Sequence, residues 1–197
     1  SMINFDQRLF TNTFDELMEK MNFGEIYQSI FTPLMIELGV LWQTNSISPS
    51  HEHFITSLIK QKIHSLCEKL QENQPRNTDL TFVLYLPDNE IHELGLLYLN
   101  YEVLSRGYKS IFLGQSVPTA SLLNFQDKSN KIIFVSCFTI EPNNDRVEEY
   151  LNQFESEILS NENSELWITG FQTQHIPKPK NHRIRIFDSS VELIKEL

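Results

Sequence analysis

Leu80-Thr81-Phe82-Val83-Leu84-Tyr85-Leu86, followed at once by Pro87-Asp88-Asn89-Glu90-Ile91-His92-Glu93-Leu94-Gly95, is the stretch that decides the fold. Its first part is a continuous apolar run rich in strand formers, the signature of a strand covered on both faces and hence of a parallel sheet. Further short runs of this kind follow at residues 110–113, 131–136, 166–169 and 183–187. Helical stretches lie between or after them, at 91–105, 119–125, 145–159 and 190–197. Only the gap 169–183 lacks a clear helical pattern. Five strands alternating with helices over residues 80–197 predict an α/β domain, a flavodoxin-like (Rossmann-like) doubly wound parallel sheet.

Upstream of the first strand the apolar pattern is that of helices. Ile26, Ile30, Leu34, Leu38 and Leu41 recur at helical steps and predict a helix over 25–42, kinked at Pro33, which lacks a donor for the preceding turn. After the polar break Gln43-Thr44-Asn45-Ser46-Ile47, Ser48-Pro49 supplies an N-cap hydroxyl and a first-turn proline. The helix so started places Ile55, Ile59, Ile63, Leu66 and Leu70 on one face. A weaker helix is expected over 13–21. These elements predict an N-terminal helical bundle cap, residues 1–75, with the polar, proline-bearing stretch 71–79 as the linker to the sheet.

Composition bounds the function. The chain has 197 residues, 40% hydrophobic and 21% charged, with a net charge of -10. Such a balance argues against this stretch alone gripping nucleic acid or an anionic membrane. Cys67 and Cys137 stand in apolar surroundings and are expected to be buried, unpaired hydrophobes of a reducing compartment. No apolar run approaches membrane-spanning length and no signal peptide opens the chain, so a cytoplasmic protein is expected. Serine before methionine at positions 1 and 2 reads as a remnant of expression, which places the natural start upstream.

In a sheet of order 2-1-3-4-5, ligands bind beyond the carboxyl ends of the strands, where the first and third strands flank the switch point. The first loop offers Glu90, His92 and, one turn into the expected helix, Gly95; the third offers Ser136; the fourth offers Thr169 and Gly170. Taken singly, each has a plain structural account. His92 suits a solvated first turn, Glu90 a helix-start acid, Gly95 close helix–sheet packing, and Ser136 a strand-end hydroxyl. A second constellation is Trp42 at the end of one helix, with Glu52 and His53 in the first turn of the next. Its plain account is a core tryptophan beside a wet helix start. A zinc site is disfavoured, because His51 and His53 do not share a helical face and no cysteine stands near. No Ser-His-Asp pattern, phosphate loop or carboxylate pair stands out, so no enzymatic activity is expected.

Together and in this order, Trp42…Glu52-His53 and Glu90-Ile91-His92-Glu93-Leu94-Gly95 resemble the two motifs of cobalamin-binding modules. The stretch Leu38-Gly39-Val40-Leu41-Trp42 through Glu52-His53-Phe54 is also similar to the helical cap of MerR-type, cobalamin-dependent, light-responsive regulators (the CarH/LitR group). The likeness runs from about residue 10 to 190. It implies His92 as the lower axial ligand to cobalt, with Glu90 and Ser136 forming a relay that orients it. It implies Trp42 over the upper face with Glu52 and His53 beside it, Gly95 as the binding motif's glycine, where something flat could approach the backbone, and Gly170 where the displaced nucleotide tail passes. Three positions depart from the family: Phe171 replaces a second glycine, Glu90 replaces the commoner aspartate, and Gln43 stands where certain photoreceptor members carry histidine. The implied function is a transcription regulator's effector domain that binds adenosylcobalamin or methylcobalamin and forms homo-oligomers. Its DNA would be read by a helix-turn-helix upstream. A corrinoid protein of a methyltransferase system is the alternative, and a cofactor-free oligomerisation domain of the same fold is a further one.

Overall fold

The computed structural model describes residues 2–44, 46–125, 130–160, 162–176 and 178–197. The chain divides into two compact units, Ser1–Ser65 and Leu66–Leu197.

The first unit is helical. Helix α1 (Gln7–Met18) starts where the Asp6 carboxylate accepts the Leu9 N–H at 2.8 Å. That cap, and the inward-facing Phe10 and Phe14, start it at Gln7 rather than at the expected Thr13. Helix α2 (Phe23–Ile26) opens on a capping box between Asn22 and Glu25. A wide π turn, Tyr27–Phe31, then leads into α3 (Thr32–Gln43). The proline kink expected in a single helix is met instead by this turn. Pro33 has no N–H, and in the widened turn both the backbone N–H and the hydroxyl of Thr32 reach the Tyr27 carbonyl. Helix α4 (Pro49–Gln71) begins at the proline that marks it in the sequence. Phenylalanines fill the core: Phe14 and Phe31 stack with ring centres 6.2 Å apart, and Phe10 and Phe23 pack on Phe31. Ile55, Ile59 and Ile63 are buried as their spacing predicts.

The second unit is a five-stranded sheet of order β2-β1-β3-β4-β5, every pair parallel. The strands are β1 (Asn77–Tyr85), β2 (Tyr108–Gly114), β3 (Lys131–Cys137), β4 (Ser164–Thr169) and β5 (Ile184–Ile186). Helices α5 (Leu94–Ser105), α6 (Val147–Glu157) and α7 (Ser190–Lys195) complete the described elements, with 3-10 turns at Thr119–Phe125 and Phe171–His175. The expected fold class stands. Alternate residues of β1 serve the two faces. Val83 and Tyr85 join Phe134, Leu151 and Phe154 in one core, while Phe82 meets Tyr108 and Trp167 edge-on.

Three expectations shift. β1 begins at Asn77, inside the stretch assigned to the linker, because Asn77 pairs with Tyr108. The segment 119–125 is a 3-10 turn rather than an α-helix. The helix expected from Ile91 begins only at Leu94. There the N–H groups of Ile91 and His92 are taken by the Glu90 side chain and that of Glu93 by the Ile91 carbonyl, so the first helical bond runs from Leu97 to Glu93. His92 therefore sits on a loop, not in a helical turn.

Candidate functional site

The loop after β1 turns sharply. The Glu90 N–H closes a turn onto the Pro87 carbonyl, and Asn89, at φ 66°, takes the left-handed conformation that asparagine tolerates well. Loop 115–117 braces the turn: the Ser116 hydroxyl accepts the Asn89 N–H at 3.1 Å, and the Ser116 N–H donates to the Glu90 carbonyl.

This geometry drives the Glu90 side chain inward, where it is 0% exposed. Its Oε1 accepts from the Ile91 N–H at 2.8 Å, the His92 N–H at 2.9 Å and His92 Nδ1 at 2.6 Å. Its Oε2 accepts from three successive backbone N–H groups in the loop after β3: Thr139 at 3.2 Å, Ile140 at 2.7 Å and Glu141 at 2.9 Å. One carboxylate thus spans the switch point between the loops of β1 and β3. Burial pushes the Glu90 carboxyl up, but the donors from Ile140, Glu141 and His92 outweigh it and hold the group below its ordinary value. It is therefore an anion at neutral pH, stabilised by a nest of backbone N–H groups.

An ionised carboxylate only accepts, so Nδ1 of His92 carries a hydrogen, and in the neutral ring the lone pair is on Nε2. With the side chain 47% exposed, that lone pair is available to a metal from outside the fold. Cys137, the nearest thiol to Gly95, is no competing ligand: burial, and then the Glu90 charge, push it up to about 12. Among the described residues no group of three His, Cys, Asp or Glu side chains could hold a bare metal ion. One oriented imidazole suits a metal whose remaining positions are filled by its own macrocycle.

The other expected residues in this unit separate. The Cβ that Gly95 lacks would meet only Cys137 Sγ, at 3.9 Å, an ordinary contact. The fold does not demand glycine there. Gly170 is different. Its φ of +119° and a Phe138 carbonyl oxygen 2.5 Å from where a Cβ would stand require glycine for the crossing of two backbones. The space it vacates is filled by Phe138. Ser136 is a correction: it lies within β3, fully buried, and its hydroxyl donates to the Tyr85 carbonyl at 2.9 Å. The expected relay through Ser136 to Glu90 is replaced by the Thr139–Glu141 amides. Ile91, Ile140 and Phe171 put exposed apolar side chains on the loops after β1, β3 and β4.

In the first unit, Trp42 ends α3 with 57% of its surface exposed, so it is not a core residue. The side chain of Gln43 lies outside the description. Glu52 Oε2 lies 2.6 Å from His53 Nδ1, and the Thr56 hydroxyl holds Glu52 Oε1 at 2.8 Å. A carboxylate thus orients this imidazole by Nδ1 too. His51 is structural: its Nδ1 sits 3.2 Å from the Ser48 backbone nitrogen, and its ring stacks on Phe5.

Parts of the chain match a known family and known proteins. Residues 1–66 match the B12 binding domain family. The expected cofactor, cobalamin, is supported by that match, which nearly coincides with the first compact unit. Two curated relatives are transcriptional repressors of the HTH type from Myxococcus xanthus. CarH is 24% identical over 118 residues, covering 60% of this chain and 38% of that protein. CarA is 26% identical over 112 residues, covering 57% of this chain and 36% of that protein. The chain spans under two fifths of the length of either. Among solved structures, the monomethylamine corrinoid protein of Methanosarcina barkeri aligns with a TM-score of 0.71 and 13% identity, over 92% of this chain and 85% of that one. At that identity it establishes the common fold. No helix among the described residues is long and apolar enough to cross a membrane.

Sequence reasoning missed the Thr139–Glu141 amides. Backbone donors leave no mark in side-chain motifs, and the one available hint was the extra methylene of Glu90 over aspartate.

Proposed function

We propose that this chain is the ligand-sensing effector region of a transcription regulator, which would bind cobalamin with His92 as a ligand to cobalt and couple occupancy to oligomerisation. The observation that carries it is the Glu90–His92 pair, which fixes one imidazole with its Nε2 lone pair outward at the switch point of the sheet. The residues fit the cofactor: a single pre-oriented nitrogen donor, and exposed Ile91, Ile140 and Phe171 to meet an apolar face. Cobalamin supplies a cobalt–carbon bond that is chemically labile and, with some upper ligands, light-sensitive.

The protein's part is binding and orientation. Glu90 holds the Nδ1–H of His92 and so assigns ligation to Nε2, which gives up any proton when it binds. In the first unit, Trp42, Glu52 and His53 are proposed as cofactor-binding residues, with Glu52 orienting His53 by Nδ1. Reading of DNA is assigned to a separate helix-turn-helix segment, in keeping with the net charge of -10 here and with both relatives being HTH-type transcriptional repressors. Occupancy alters assembly only if cobalamin binds one oligomeric state more tightly than another.

A methyl-carrying corrinoid protein shares the fold of the solved relative. Measuring molar mass by light scattering, in the dark with and without adenosylcobalamin and again after illumination, separates the two. A change of mass with occupancy supports the regulator. Tight binding at constant mass contradicts it and leaves the methyl carrier.

A further inference from the structure

The loop that holds Glu90 is itself held from its other side. The Thr139 and Glu141 N–H groups point to Glu90 Oε2, at 3.2 and 2.9 Å. The carbonyls of the same two peptide units point to one residue of the 3-10 turn after β4. The Phe138 carbonyl accepts from the Gln172 backbone N–H at 3.0 Å, and the Ile140 carbonyl accepts from Gln172 Nε2 at 3.3 Å. A peptide unit is planar and stiff, and a hydrogen bond to its carbonyl polarises its N–H. Two such units therefore run side by side from Gln172 to Glu90, whose other oxygen grips His92 Nδ1.

We infer that Gln172 is a positioning residue for the His92 imidazole, acting through the Ile140–Glu141 peptide and Glu90. This rests on His92 being the cobalt ligand. The orphaned end of the Gln172 amide sharpens the point. Its Oε1 is buried without a hydrogen-bond partner. Were the residue mere packing, methionine would fill the same volume and remove the unpaired oxygen at no loss. The amide is retained for its donor, which holds the shelf on which Ile140 stands exposed beside the site.

The test is Gln172→Met, with Gln172→Ala as a second variant, read first on the chain without cofactor. Strand amides and thermal stability should match wild type or improve in Gln172→Met, because an unpaired polar atom has gone. Exchange of the Glu141 amide should speed up about fivefold, and the His92 Nδ1–H resonance should move. Affinity for adenosylcobalamin, measured by absorbance, should then fall by a similar factor. If both variants leave the Glu141 exchange rate and the His92 resonance unchanged, Gln172 has no positioning role. That outcome is distinguishable from failure of the cofactor assignment, in which wild type takes up no adenosylcobalamin whatever the amide data say.

Discussion

Glu90 Oε1 lies 2.6 Å from His92 Nδ1 and accepts the backbone N–H of the same residue at 2.9 Å. One oxygen thus holds both the ring and the main chain of His92. The ring cannot rotate about its bonds to the backbone without giving up a charge-assisted hydrogen bond.

Because that oxygen must only accept, its charge matters. Glu90→Gln should destabilise the fold by about 3 kcal/mol at neutral pH, since an amide nitrogen would face buried donors. The Glu90 carboxyl is depressed on folding from an ordinary value of 4.5. The unfolded chain therefore takes up the proton first as pH falls. The stabilisation is complete above the unfolded value and is lost as pH drops through the folded one. Urea melts of both proteins should differ by a constant amount from pH 7 to about 5 and converge in stronger acid. A gap that persists undiminished in strong acid would mean that charge is not the cause.

Ser136→Ala should cost about 1 kcal/mol, the single bond from its hydroxyl to the Tyr85 carbonyl. Cofactor affinity and the His92 resonances should not move. A weakened cofactor complex in this variant would restore the hydroxyl relay expected from the motif.

The two glycines should answer alanine in opposite ways. Gly170→Ala forces a side chain into φ +119° against the Phe138 backbone, and should cost about 2 kcal/mol or more. Gly95→Ala, in the first turn of α5, should leave the cofactor-free chain as stable or up to about 1 kcal/mol more stable. Only the latter should lose cofactor affinity while folding normally. Equal affinity for Gly95→Ala and wild type would show that nothing approaches the backbone there.

Burial pushes the Cys67 thiol up to about 11 and that of Cys137 to about 12, with the Glu90 charge adding to the latter. Neither forms a thiolate in neutral solution. Alkylation by iodoacetamide at pH 8 should be slow in the native chain and fast in urea. Rapid native labelling of Cys137 would place water against the inner side of the site.

Much of this was legible in the residues. The unbroken apolar run of β1, recurring four times, specifies a parallel sheet because a strand without a polar face needs cover on both sides. Ser48-Pro49 marks the start of α4 by a local rule that tertiary packing leaves intact. What escaped depends on long-range geometry. The helix start moved from Ile91 to Leu94: the Ile91 carbonyl is taken by the Glu93 N–H, and the first helical bond runs from the Leu97 N–H to the Glu93 carbonyl. The partner of Glu90 is backbone some 50 residues downstream, which no spacing rule registers. Gly170 reads as a ligand-approach glycine until the Phe138 backbone is seen beneath it.

The central claim is that His92 is the axial donor to cobalt. An absorption titration of the chain with adenosylcobalamin in the dark, repeated with His92→Ala, tests it most directly. Wild type should give a bound spectrum with the signature of imidazole nitrogen ligation, and His92→Ala should lack that signature while keeping its fold by circular dichroism. Identical bound spectra for the two proteins, or no uptake by wild type, would contradict the assignment.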